Sequence, residues 1–301
     1  MLEIIFIVGP TATGKTDVAF QLARSLGAQI ISADSMAIYT EPRIITSKPN
    51  DTMCRHIPHH LVNIISVGQN YSVFDYYQEA NKIIETLIAQ NIPLIVCGGS
   101  GLYIKAILDG IFEGVGQDID LRKRLEVKAA EGGKELLLEE LKSVDPQTAA
   151  KVKDVRRIIR ALEVYYLTGV PLSKKKQEAQ GLWGSVPTKI FGLRLARETL
   201  YEKINKRVDV MFESGATQEV EGLLKFNLST TASKMIGIKE ITGYLRGEYD
   251  VTAAKELMKK NTRNFAKKQL TWFRADRRIK WIDIESLDEK RVAGEILRAM
   301  E

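Results

Sequence analysis

Cysteine is nearly absent from this 301-residue chain: Cys54 and Cys97 are the two present, far apart and in no Cys-x-x-Cys pattern. A disulfide framework and a zinc knuckle are therefore not indicated, and a reducing cytoplasm is the expected setting. Histidine is equally scarce. All three sit in HIPHH, residues 56–60, without the Cys or carboxylate spacing of a metal centre, so a structured loop is the expectation. No apolar run approaches a membrane span, and the opening LEIIFIV is too short for a signal-peptide core, so a soluble intracellular protein is expected. Acids are missing in two places: residues 255–280 hold ten Lys or Arg against two acids, and residues 151–176 hold eight against two. The formal charge is only +6, so the remainder of the chain is net acidic and the basicity is focused, as an anionic partner requires. Solvated basic helices remain the plain alternative.

What is present is a 45% apolar composition, enough for one large core or two modest ones, with no repeat or low-complexity segment. Apolar, β-branched-rich runs without alternation at residues 2–8, 29–32 and 93–97 read as strands buried on both faces. Helical patterns at 15–25, and at 73–90 behind a Ser72 cap, separate them. Alternating strands and helices predict a parallel sheet whose ligands gather at the strands' carboxyl ends. From residue 119 to 168 the pattern is helical throughout. A strand returns at 189–196, followed by helices near 199–214, 217–225, 234–245 and 251–274 and a last strand at 279–284. The expected fold class is α/β: a P-loop NTPase-like parallel sheet flanked by helices, formed by residues 1–112 and 189–301, with an inserted all-helical domain at 113–188.

The first strand leads into GPTATGKT, which satisfies G-x-x-x-x-G-K-[ST] through Gly9, Gly14, Lys15 and Thr16. With a strand before and a helix after, backbone N–H groups and the helix N-terminus face a polyphosphate, Lys15 adds a point charge, and the Thr16 hydroxyl is placed to ligate Mg²⁺. This spacing identifies a phosphate ligand but not ATP. The second strand ends in ISADS, which brings Asp34 to the same edge. A turn residue, a Mg²⁺ ligand and a general base are all open readings of it. CGGSGLY closes the third strand, either as a packing turn or as a close approach to a ligand.

Taken in order, GPTATGKT, ADSMAIY, IPHHL, GGSGLYIKAIL, VRRIIRALEVY, KRVDVM, IGIKEI and AKKQLTWFR resemble the tRNA dimethylallyltransferases, or tRNA isopentenyltransferases, of bacterial type. The resemblance covers about residues 4–274. It implies transfer of a dimethylallyl group from dimethylallyl diphosphate to N6 of the adenine on the 3′ side of the tRNA anticodon, with release of diphosphate. The loop, Gly9, Pro10, Thr11, Ala12, Thr13, Gly14, Lys15 and Thr16, would then hold a leaving group rather than a nucleotide, with Mg²⁺ on Thr16. By the same resemblance Asp34 accepts the N6 proton and Arg207 binds diphosphate, completing a catalytic set of Asp34, Thr16 and Arg207. The implied tRNA contacts are Asp34, Ser35, Met36, Ala37, Ser100, Arg156, Arg157, Arg160, Lys239, Lys267, Lys268 and Arg274. A flipped adenine is expected beside residues 34–37, with the anticodon stem-loop gripped through its phosphates. The chain departs from the family's usual ADSMQIYRGMDIGTAKP: Ala37 stands at the Gln, Thr40 at an Arg, Arg43 at an Asp and Ile45 at a Gly.

Three other functions share some of these features. A nucleoside monophosphate or small-molecule kinase shares the loop and the sheet but does not need two basic helical faces. Prenyl transfer to free adenosine nucleotides uses similar motifs, and a non-catalytic RNA-binding ATPase would hydrolyse ATP without altering RNA. The constellation favours the tRNA transferase, expected as a monomer.

Overall fold

The computed structural model describes residues 3–112, 116 and 118–300. It divides into two compact units, Met1–Leu108 with Leu182–Glu301, and Asp109–Gly181.

The first unit is built on β1 (Ile4–Val8), α1 (Lys15–Leu26), β2 (Gln29–Ser32), α2 (Asp51–His56), β3 (His59–His60), α3 (Val73–Ala89), β4 (Leu94–Gly98) and α4 (Gly101–Asp109). The chain then supplies α5 (Ile119–Val144), α6 (Pro146–Ala149), α7 (Val155–Thr168) and α8 (Leu172–Glu178) of the second unit. It returns to the first unit with β5 (Thr188–Arg194), α9 (Arg197–Glu213), α10 (Ala216–Leu223), α11 (Ile238–Leu245), α12 (Val251–Arg274), β6 (Ile279–Asp283) and α13 (Glu289–Arg298).

The six strands form one sheet in the order β3-β2-β4-β1-β5-β6, and every pairing is parallel. The central position of β1 follows from its sequence. IIFIV is buried at all five positions, because helices cover both faces of a parallel sheet. Phe6 and Val8 face one apolar cluster with Ile31, Val96 and Tyr76, whereas Ile5 and Ile7 face a second with Val18, Leu22 and Ile296. Each such side chain removed from water contributes about 1.5–3 kcal/mol before ordering costs. The β1–β4 register pairs Val8 with Gly98, and β2–β4 pairs Ser32 with Cys97, so three strands end together and release their loops at one edge.

Ser72 caps α3 in a reciprocal box with Asp75, as its position before the apolar period predicts. Three features depart from the sequence reading. HIPHH is not a loop: His56 closes α2, and His59 and His60 form β3 against Ile30 and Ile31. The helix expected at 234–245 is a 3₁₀ turn at Ala232–Lys234 and then α11, separated because Gly237 takes φ 109° and its N–H donates to the Glu240 carboxylate. The core resumes before residue 189: Leu182 and Trp183 donate backbone bonds to Ile107 and Leu108, and Leu182 and Val186 pack on the larger cluster. The other expected boundary, at residue 113, and Leu2 of the first strand lie outside the described residues.

The second unit has its own core of Leu125, Leu137, Leu141, Ile158, Ile159 and Leu162. Gly133, at φ 75° and ψ 167°, kinks α5. Glu163 is 0% exposed on the inner side of α7 and is held by Arg122 at 2.7 and 2.8 Å and by Arg160 at 2.5 Å. Burial opposes its ionisation, but those hydrogen bonds outweigh burial and hold the carboxyl below its ordinary range.

Candidate active site

The loop joining β1 to α1 turns tightly enough that three residues leave ordinary φ. Gly9 takes φ 150°, Ala12 66° and Gly14 75°. A Cβ on Gly9 would lie 2.7 Å from the Leu193 carbonyl oxygen, so glycine is required there. Ala12 has no such excuse, and its left-handed backbone stores about 1–2 kcal/mol within the loop. Thr13, buried, donates from Oγ1 to the Pro10 carbonyl at 2.9 Å, and Lys15 Nζ donates to the same oxygen at 2.6 Å. Desolvation pushes the Lys15 ammonium down to about 8, against the pull of Cys97 and Asp34. Cys97 is buried, with its thiol 3.4 Å from the Lys15 carbonyl; burial pushes it up to about 12, leaving it a neutral packing group.

The loop after β2 brings up the carboxylate. Asp34 Oδ1 accepts from Met36 N–H at 2.9 Å, a local turn that leaves the second carboxylate oxygen available to a ligand. Ser35 N–H donates to Ser100 Oγ at 3.0 Å, and Ser100 N–H donates to the Ala33 carbonyl, so this loop is tied to the β4–α4 turn. A Cβ on Gly98 would lie 2.1 Å from the Ala33 oxygen; close backbone approach is therefore what this glycine serves.

A cavity of about 430 Å³ lies between these loops. Its walls include Thr11, Ala12, Gly14, Lys15, Thr16, Asp34, Ser35, Met36, Ala37 and Arg207, so the three expected catalytic residues and most of the phosphate loop converge on one space. Arg207, from α9, donates from Nε to Ser47 Oγ at 3.0 Å and reaches Thr11 Oγ1 at 3.4 Å. Burial lowers its pKa, opposed by the charges of Asp34 and Asp17. Gly9, Pro10, Thr13 and Ser100 shape the loops from behind rather than lining the cavity. Lys239, Lys267, Lys268 and Arg274 are exposed on α11 and α12 of this unit. In the helical unit Arg156 and Arg157 are exposed at the start of α7, while Arg160 is committed to Glu163.

Among the wall residues that sequence reasoning missed are Asp17, Ser47, Lys48 and Gln269. Lys48 donates to the carbonyls of Tyr39 (2.6 Å) and Thr40 (3.3 Å) and to Asn63 Oδ1 (2.5 Å), and burial pushes it down to about 8. Lys48 and Ser47 lie in an aperiodic loop that carries no positional signal. Gln269 had one: it falls at helical spacing between the apolar Ala266 and Phe273, and it is 7% exposed. The cavity wall also includes His59, whose Nδ1 lies 2.8 Å from the Ile57 carbonyl and whose Nε2 is buried with no partner among the described residues.

The oxygen donors Thr16, Asp34 and Asp17 in the cavity lining suit a hard divalent cation beside a polyphosphate. Among the described residues there is no cluster of three or more His, Cys, Asp or Glu able to hold a metal by themselves, so a cation here would need part of its coordination from the ligand and water.

Comparison with known proteins finds relatives of one kind. The family profile described as "IPP transferase" matches residues 37–276. The tRNA dimethylallyltransferase of Halothermothrix orenii is 42% identical over 298 residues, spanning 97% of this chain and 91% of its own length. That of Pelotomaculum thermopropionicum is 43% identical, spanning 99% and 96%. Among solved structures, the tRNA isopentenylpyrophosphate transferase of Bacillus halodurans superposes with a TM-score of 0.74 at 33% identity, covering 100% of this chain and 96% of that one. A eukaryotic dimethylallyltransferase solved acting on tRNA superposes with a TM-score of 0.84 at 26% identity, covering 100% and 78%. With a family profile over most of its length and near-full-length relatives of one kind, this chain belongs to the IPP transferase family.

Proposed function

We infer that the protein transfers a dimethylallyl group from dimethylallyl diphosphate to N6 of an adenine in tRNA, the base on the 3′ side of the anticodon. The observation that carries this reading is the convergence of the phosphate loop, Arg207 and Asp34 on one cavity. Ionising the allylic carbon–oxygen bond sends its electron pair onto diphosphate, and donors already aimed at that oxygen lower the barrier. The amides around Gly14, the Lys15 ammonium and the Arg207 guanidinium supply them. Mg²⁺, held through the Thr16 hydroxyl with Asp34 or Asp17 nearby, supplies further neutralisation of diphosphate charge when bound.

On the opposite side the nucleophile needs help, because the adenine N6 lone pair is delocalised into the ring. As N6 forms its bond to the allylic carbon, a proton leaves N6, and Asp34 is the carboxylate of the cavity lining that would take it. The target base must leave the anticodon stack to enter the cavity, where Met36 and Ala37 offer apolar contact. The kinase alternative is disfavoured by what surrounds the loop: the relatives are transferases acting on RNA, and the same unit carries the exposed basic run of α12.

The test incubates the protein with Mg²⁺, labelled dimethylallyl diphosphate and unmodified tRNA bearing the target adenine, with parallel mixtures containing AMP or labelled ATP. Label on tRNA alone is the expected outcome. Label on AMP, or phosphate moved from ATP, with none on tRNA would overturn the assignment.

A further inference from the structure

Gln269 lies on α12, whose outward side carries the exposed Lys267 and Lys268, yet its own side chain runs inward and is 7% exposed. Its Oε1 accepts from the backbone N–H of Thr11 at 2.8 Å, and its Nε2 donates to the Gly99 carbonyl at 3.0 Å. One side chain thus satisfies both the first turn of the phosphate loop and the β4–α4 turn. The fit leaves no slack: a Cβ on Gly99 would stand 2.3 Å from Gln269 Nε2, and one on Gly101 would stand 2.2 Å from the Trp272 ring, three residues further along the same helix face.

Thr11 also contacts Arg207 through its hydroxyl. The backbone N–H hydrogen bond to Gln269 and the hydroxyl contact to Arg207 hold this residue from both ends. The Thr11 N–H is therefore not a phosphate donor, and the cradle begins further along the loop. Release of Thr11 would let the loop turn its first amide inward and move the hydroxyl that steadies Arg207.

We propose that Gln269 is a positioning residue that clamps the Thr11 corner of the phosphate loop to the β4–α4 turn and to α12, thereby setting the loop's affinity for diphosphate. This inference deepens the transferase reading and rests on it for the identity of the ligand, but the clamp itself is tested without RNA. The probe is inorganic diphosphate with Mg²⁺, titrated into the full chain by calorimetry.

Gln269→Met keeps the length of the side chain and removes both bonds. Its affinity for Mg²⁺-diphosphate is expected to fall about tenfold, the order set by leaving a buried donor and acceptor unpaired. Gly99→Ala displaces the same amide from the other side and is expected to give a similar loss. The double variant is expected to be no weaker than the weaker single variant, because both changes remove one clamp. A purely structural role lowers the melting temperature and leaves diphosphate affinity unchanged, and that pattern in either variant overturns the proposal. Additive losses in the double variant also overturn it. Wild-type protein that modifies no tRNA, combined with weakened diphosphate binding in Gln269→Met, would sink the transferase reading and leave the clamp standing.

Discussion

Lys15 is the residue at which burial and function conflict. Its ammonium is held near a pKa of about 8 by desolvation, and only its protonated form attracts a diphosphate. The sign follows directly: affinity is full well below pH 8, then weakens as pH rises through the folded pKa and the charge is lost. The dissociation constant for Mg²⁺-diphosphate is expected to rise above about pH 8, with a slope approaching tenfold per pH unit. Lys48, in the same cavity wall and also near 8, titrates in this range. Its ammonium is turned toward two carbonyls and Asn63, so Lys48→Met should preserve most of the pH dependence. A flat profile from pH 7 to about 9.5 in isothermal titrations would contradict this assignment.

At the scale of elements, the loop that departs from the family's usual sequence is held by two carboxylates. Glu219 on α10 accepts from three consecutive backbone N–H groups, those of Arg43, Ile44 and Ile45, at 2.6–2.9 Å. Glu41 accepts from Ser66 Oγ and Val67 N–H, and despite the cost of burial its hydrogen bonds hold its pKa below the ordinary range. Glu219→Gln puts an amide NH₂ where an oxygen now accepts, and the expected loss is about 1–3 kcal/mol in urea unfolding. An unchanged midpoint would show that the loop is held by something else. These ties explain what was and was not legible in the sequence. Strands β1 and β4 are apolar runs with one structural solution, β2 is built on Ile30 and Ile31, and the phosphate loop has fixed spacing, so all could be read directly. The two-residue β3 and the α2 turn before it are too short to show a period. The break before α11 depends on Gly237 meeting Glu240, a capping contact inside an otherwise helical pattern. Glu219 and Gln269 act through backbone groups far away in sequence, 174–176 and 170–258 residues, which no local pattern reports.

For the whole molecule, charge placement matters more than total charge. The +6 excess is concentrated in residues 151–176, in the helical unit, and 255–280, in the sheet unit, while the rest is net acidic. Such a charge pattern suits grip on a polyanion through its phosphates, and RNA affinity should fall steeply with salt, on the order of a hundredfold or more between about 50 and 200 mM. Removing the exposed Lys267 and Lys268 together by glutamine should lower the log–log salt slope by about two and weaken all tRNAs alike. Retention of the full slope in filter-binding titrations would remove α12 from the RNA interface. No helix among the described residues is long and apolar enough to cross a membrane.

The division of labour in the cavity, diphosphate on the loop side and proton acceptance at Asp34, is tested most directly by single-turnover prenyl transfer in Asp34→Asn. The amide preserves the turn to Met36 N–H while removing the base. The expected result is a fall in the transfer rate of about 10²–10⁴-fold with diphosphate and tRNA affinities little changed. Transfer at the wild-type rate with both substrates bound would contradict the assignment of Asp34 as the proton acceptor, and with it the mechanism derived from this cavity.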